Sequence, residues 1–311
     1  MKGYHGTMRH YLDLVTISGK VHRRQSRMTR ICIVLAVFLV SVLFGLADMY
    51  LRGMTEQTMH QNGDWHCRFF GIEEETAAQI AARPDTELCG WQGVISQDAG
   101  FTWKEQPVSV AGMEEEMFSQ ICLGSFLSGH FPVSEGEAAV PESLAEEGGL
   151  SAGDQITLKS SDGRTAQLTV TGVFSDETAA WVAGNTKTLW VTPESLPRLA
   201  SNGRPQWQYV VRFSLLADIP SAIEEIEENN SIAKEQVLIN QELLSVLGKL
   251  PGSNMSQMYS MAFLLSLVVM GTCVMMISSS LGSNISQRTQ FFGVLRCLGA
   301  SRRQILRFVR R

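Results

Sequence analysis

The sequence predicts an α+β membrane protein in which two transmembrane helices flank a mixed α/β extracytoplasmic domain with a β-rich insertion. Three observations predict it: two long apolar runs, a segregation of charge between ends and middle, and a middle whose texture passes from α/β to β-rich and back. Residues 1–30 hold seven Lys and Arg against one acid, Asp13, and residues 282–311 hold seven Arg and no acid. The remaining twelve of the 26 basic residues stand against thirty of the 31 acidic ones in between, so the formal charge of -5 conceals two cationic ends and a strongly acidic centre.

The first apolar run, ICIVLAVFLVSVLFGLA from Ile31 to Ala47, carries no charge. As a helix it spans about 25 Å. Met49, Tyr50 and Leu51 extend it to a predicted span over 31–51, just long enough for a bilayer core of about 30 Å. A cleaved signal peptide is the competing reading, since FGLAD offers a small-residue context. The long segment before the run and the existence of a second run oppose it. That second run, MAFLLSLVVMGTCVMMISSSL from Met261 to Leu281, lies in an uncharged stretch from Leu250 to Gln287. It is longer than a buried core helix requires and predicts a span over 258–281. Both short flanks are rich in Lys and Arg, which places both termini in the cytoplasm and residues 52–257 outside the plasma membrane. Asp48, at the outer end of the first span, reads as a marker of the water boundary.

Within 52–257, DWHCRFFGI, EEETAAQIAARP and TELCGWQGVI form a βαβ pattern, with three glutamates suited to the positive end of the intervening helix. The α/β part covers about 60–100 and 205–245, where QYVVRFSL predicts a strand. Ile219, Ile223 and Ile226 predict a helix whose glutamates 224, 225, 227 and 228 face solvent. Between them, about 101–200, PVSVAGM, EAAVPE, DQITLKSSDGRTAQLTVTGVF and NTKTLWVTPE predict short strands, with Asp-Gly in SSDGR as a hairpin signal.

Several chemistries are excluded by missing residues. In GSFLSGHF, Gly124 and Gly129 have P-loop spacing, but His130 and Phe131 stand where Lys and Ser or Thr are needed, so the segment reads as a turn. His66 beside Cys67 lacks the further ligands of a tetrahedral metal site and reads as structural. Cys67 and Cys89 fall on the two strands of the βαβ pattern, and a disulfide would require those strands to be neighbours. Three outer cysteines, with Cys122, do not suit a disulfide framework. Glu114, Glu115 and Glu116 read as an exposed acidic run, and no local catalytic motif is present. No cofactor, metal or nucleic-acid partner is expected, and membrane lipid is.

After the second span, Phe291, Val294, Leu295 and Leu298 fall at i, i+3, i+4 and i+7, one apolar helical stripe. Gly299 supplies a stop and Ser301 an N-cap for a second short helix through Ile305, Phe308 and Val309. A helix lying on anionic lipid is the alternative use of such a basic, apolar segment.

NISQRTQFFGVLRCLGASRRQI, Asn284 to Ile305, resembles the cytoplasmic signature of FtsX-like (MacB-type) ABC transporter permeases. HRRQSRMTRICIVLAV is similar to the basic approach to the family's first span. PVSVAGMEEEMFSQICLGSFLSGHF and EGEAAVPESLAEEGGLSAGDQITL are similar to the β-rich part of its outer domain. The resemblance covers about 20–311 and departs at Gln290, where the family often has an acid. It implies a MacB-periplasmic-domain-like fold and a coupling helix that docks into a separate cytoplasmic ABC ATPase subunit. The coupling residues would be Arg288, Phe291, Gly293, Leu295, Arg296, Leu298, Gly299, Ala300 and Ser301. ATP hydrolysis then belongs to the partner, and a homodimer or a pseudo-dimer with a second permease half is expected. Because such permeases carry further spans after this segment, the chain reads as the amino-terminal part of a longer permease or as a truncated gene. The implied function is transmission of ATPase-driven motion to the outer domain, for export or antimicrobial-peptide resistance. The alternatives are an FtsX-like subunit that activates cell-wall hydrolases and a membrane sensor lacking its output domain.

Overall fold

The computed structural model describes residues 23–95, 101–160, 163–176, 187–200 and 205–297. The chain divides into two compact units, one built from the two terminal portions up to Met49 and from Met258, the other from Tyr50–Gln257. The terminal unit is built on helices α1 (Arg23–Asn62) and α8 (Asn254–Cys297). Windows within Arg30–Asn62 and Asn254–Ser279 are long and apolar enough to cross a membrane, and almost none of either is buried in the protein. Such apolar, outward-facing surface suits lipid. The hydroxyls of Ser266 and Thr272 donate to Ala262 O and Val269 O, both at 2.8 Å, so these polar groups are satisfied within their own helix. Cys32 Sγ and Met276 Sδ meet at 3.0 Å, bringing the two helices into contact.

The outer unit opens with β1 (Cys67–Phe70), α2 (Glu74–Ala81) and β2 (Thr86–Ile95). It closes with β10 (Gln206–Phe213), α6 (Ile219–Asn230), β11 (Val237–Ile239) and α7 (Gln241–Val246). The glutamates predicted at the start of α2 are there, with Glu74 and Glu75 in its first turn and Ala77 and Ile80 buried beneath it. In α6, Ile219, Ile223 and Ile226 are buried as their spacing predicts. The chain leaves that helix through Ser231 at φ 52, where Ile232 N donates to Glu227 O at 2.9 Å. This left-handed exit satisfies carbonyls the helix would otherwise leave open. The two helices cover Cys67, Phe69, Val211 and Phe213 in one core.

Strands β1 and β2 both run antiparallel to β10, which lies between them. The predicted βαβ unit is therefore split by a strand from the far end of the domain. Cys67 and Cys89 each stand opposite Val211, one on either side of it. Two strand spacings, about 9.6 Å, exceed the roughly 7 Å a disulfide tolerates, so the two thiols are not bridged. Both are free.

The insertion contributes β3 (Phe101–Trp103), β4 (Gln106–Gly112), β5 (Phe126–Gly129), β6 (Glu137–Pro141), β7 (Gln155–Ser160), β8 (Thr165–Phe174) and β9 (Thr188–Val191). Helices α3 (Glu115–Ile121), α4 (Glu142–Gly148) and α5 (Leu196–Leu199) lie among them. Pairing runs β4–β3–β7–β8–β6–β9 and returns from β9 to β4, so six strands close into a ring. Its core includes Val108, Val110, Val140, Leu158, Val170 and Leu189, all without solvent exposure. Closure removes the open edges that short strands would otherwise present. Strands β7 and β8 pair antiparallel on either side of the SSDGR signal, with Ser160 N donating to Arg164 O at 2.8 Å; Ser161 and Asp162 lie outside the described residues. The segment read as a turn at GSFLSGHF is instead β5, paired with β8. Gly129 sits there at φ +77 with Thr171 O where a Cβ would project, so a glycine spacing that imitates a nucleotide loop serves a close strand crossing.

Candidate functional site

The roots of the two long helices, as they emerge within the outer unit, are fastened to each other and to the domain. Beyond Leu51, helix α1 turns Leu51, Met54, Thr55, Thr58 and Met59 to its more buried side, at helical spacing. It ends at Asn62, whose Nδ2 donates to Glu242 on α7 and whose carbonyl accepts from Trp65 Nε1. The central fastener is Asn240. Its Oδ1 accepts from Leu243 N at 3.3 Å, capping α7, while its Nδ2 donates to Gly63 O at 3.3 Å and Trp65 O at 3.0 Å. Its own N–H donates to His66 O at 3.0 Å. One buried amide thus joins the exit of the first helix to the segment leading into the second.

That segment is anchored again at Lys249, whose Nζ donates to the carbonyls of Leu215 and, at 3.0 Å, Ala217. Ser253 Oγ then accepts from Ser256 N at 3.2 Å and caps α8. On the other side of the joint, Arg212 pairs with Asp64 at 2.9 Å, with both side chains largely buried, and also reaches Gln120 Oε1 at 3.0 Å. Burial pushes the Asp64 carboxyl above the usual range while Arg212 pulls it down. His66 is buried, with Nδ1 accepting from Phe213 N at 2.9 Å. Burial, then the nearby charges of Arg212 and Lys249, lower its pKa to about 4, so it is neutral at physiological pH. This agrees with the structural role read from its lack of metal-ligand neighbours. Among the described residues no group of His, Cys, Asp and Glu could hold a metal ion.

Of the predicted coupling residues, Arg288, Phe291, Gly293, Leu295 and Arg296 lie on α8, which runs without interruption to Cys297; Arg296 is exposed. Leu298, Gly299, Ala300 and Ser301, and the second short helix predicted after them, lie outside the described residues. Sequence reasoning missed Asn240. An Asn preceding Gln-Glu-Leu-Leu is a legible N-cap, but its bonds to residues 175 and 177 positions away are not.

Residues 26–229 match the family model of the MacB-like periplasmic core domain, and residues 263–309 match that of the FtsX-like permease C-terminal domain. The chain belongs to the MacB/FtsX-like permease family. The periplasmic region of MacB from Actinobacillus actinomycetemcomitans is similar to this permease at 11% identity and TM-score 0.44, covering 64% of this chain and 100% of that one. A domain of a putative permease from Porphyromonas gingivalis is similar at 14% identity and TM-score 0.39, over 58% of this chain and 87% of that one. The extracellular domain of the noncanonic ABC-type transporter YknZ from Gram-positive bacteria is similar at 13% identity and TM-score 0.40, over 56% and 98%. No curated protein matches the chain. Permeases of this family generally work with an ABC ATPase partner.

Proposed function

We propose that this permease carries ATPase-driven motion from the cytoplasm to its outer domain. In this reading both termini are cytoplasmic, residues 52–257 are extracytoplasmic, and the ATPase is a separate subunit that docks on the segment from Arg288 to Ser301. The observation that carries the reading is the single helix Asn254–Cys297, whose first turn is capped by Ser253, just after the Asn240–Lys249 joint, and whose last turns lie in the FtsX-like match. A helix of this length, about 66 Å, is stiff enough to transmit a push or tilt over more than a bilayer. A homodimer, or pairing with a second permease half, would let two outer domains move against each other.

Leu295→Asp combined with Arg296→Glu is expected to abolish copurification with the ATPase, and unchanged copurification rejects docking at this segment. Asn240→Ala is expected to leave ATPase binding intact while removing the cellular phenotype, because it loosens the joint rather than the dock.

A further inference from the structure

Strand β10 passes into α6 through a turn, Ser214 to Asp218, that presents two leucines to the outside. Leu216 is 97% exposed, more than any other large apolar side chain among the described residues, and Leu215 beside it is 54% exposed. The backbone beneath them is bonded inward. Ser214 N donates to Asp85 O at 2.8 Å, and Ala217 N closes the turn on Ser214 O at 3.0 Å. Leu216 N donates to Ser214 Oγ at 3.4 Å, and the carbonyls of Leu215 and Ala217 both accept from Lys249 Nζ. Ala217 and Leu250 pack against the core that holds Phe213 and Ile219. A fastened turn, not a loose one, thus holds the two leucines out.

Lys249 ties this turn to the root of α8. It is the last charged residue before the uncharged stretch from Leu250 to Gln287. The chain between Lys249 and α8 is folded tightly, with Lys249 N on Leu244 O at 2.8 Å, Ser253 N on Leu250 O at 3.2 Å and Asn254 N on Ser245 Oγ at 3.2 Å. Tyrosines favour the membrane–water boundary; Tyr259 follows Asn254 within about 7.5 Å of helix, and Tyr50 stands at the outer end of the first apolar run. The polar layer on each side of a bilayer is about 5–7 Å deep. A turn bonded to Lys249 is therefore within reach of the lipid surface that α8 enters. Backbone that leaves water must keep its polar groups bonded, which Ser214 and Lys249 accomplish for this turn. Two protruding aliphatic side chains are far less than the roughly 800 Å² per partner of a stable protein interface. Lipid needs no complementary surface and accepts them as they stand.

We propose that Leu215 and Leu216 insert into the lipid surface beside α8, giving the outer domain an attachment to the membrane besides its two helix roots. The assignment uses no residue of the coupling segment and rests only on α8 entering a bilayer.

The test uses the full chain in phosphatidylcholine nanodiscs, with Cys32, Cys89, Cys273 and Cys297 replaced by alanine and the buried Cys67 and Cys122 kept. A nitroxide is attached through Leu216→Cys, through Glu74→Cys at the exposed start of α2, beyond the end of β1 remote from the joint, or through Val268→Cys on α8. Electron paramagnetic resonance compares collisions with oxygen, which concentrates in lipid, and with a water-soluble nickel chelate. The oxygen-to-nickel ratio at 216 is expected to exceed that at 74 by at least about threefold, as insertion by about 5–10 Å into the interface requires. Adding Leu215→Glu should lower it to the level of 74 without moving the melting temperature, since Leu215 is exposed. A low ratio at 216 with a high one at 268 would overturn the insertion alone, and low ratios at both would remove the span and the proposal with it. A ratio at 216 indifferent to Leu215→Glu would show that the label itself seeks lipid, and spontaneous disulfide linkage between Leu216→Cys chains would assign the pair to a second copy; either would also overturn the proposal.

Discussion

His66 accepts the N–H of Phe213 through Nδ1 and has no hydrogen-bond partner among the described residues at its buried Nε2. Protonation would place a second donor opposite that N–H and a charge out of water. Below about pH 6.5 the unfolded chain therefore takes up a proton here that the folded chain refuses until about pH 4. Stability is lost as pH falls through that window and is unaffected by this group above it, by up to roughly 3 kcal/mol. The melting temperature is expected to fall between pH 7 and pH 5. His66→Asn, whose Oδ1 can still accept from Phe213 N, should flatten that part of the profile; an unchanged slope would place its origin elsewhere. The acceptor role of His66 was not legible in the sequence, because it depends on Phe213, which only β-pairing brings near.

Strand β5 shows how an element takes its meaning from its neighbour. Gly129 pairs with Gly172 on β8, and Thr171 O occupies the space of its absent Cβ. Gly136 also has a positive φ, +84, but its Cβ would meet nothing within 4 Å. Alanine at Gly136 is thus expected to cost only the left-handed penalty, about 1–2 kcal/mol. At Gly129 it adds a backbone collision and should cost several kcal/mol more, since a strand crossing must open. Denaturant midpoints of the two variants measure the difference; equal shifts would show that β5 yields freely. Local pattern revealed most strands of the insertion because alternation and Asp-Gly signals are short-range. It misread β5, whose Gly129 is explained by a strand some forty residues later, while Gly124 just before it makes room for the Phe118 ring.

At the scale of the molecule, the terminal unit brings Cys32 beside Met276. Met276→Cys, in a chain lacking its other cysteines, is expected to cross-link to Cys32 with a short bifunctional maleimide, read as a mobility shift that Ile285→Cys does not give. Loss of that contrast would reject this packing of the helices. The two apolar runs, the cationic ends and the acidic middle were determined by the sequence itself, because length, hydropathy and charge act without regard to what folds against what. The same holds for the amphipathic stripes of α2 and α6 and for the Asp-Gly hairpin, whose signals span only a few residues. Tertiary structure alone decided that β10 separates β1 from β2, that six strands close a ring, that Asn240 holds two helix roots, and that Lys249 ties the turn of Leu215 and Leu216 to the root of α8. Those features rest on contacts between residues tens to more than a hundred positions apart, and pairing at that range follows from packing the whole chain rather than from any local period.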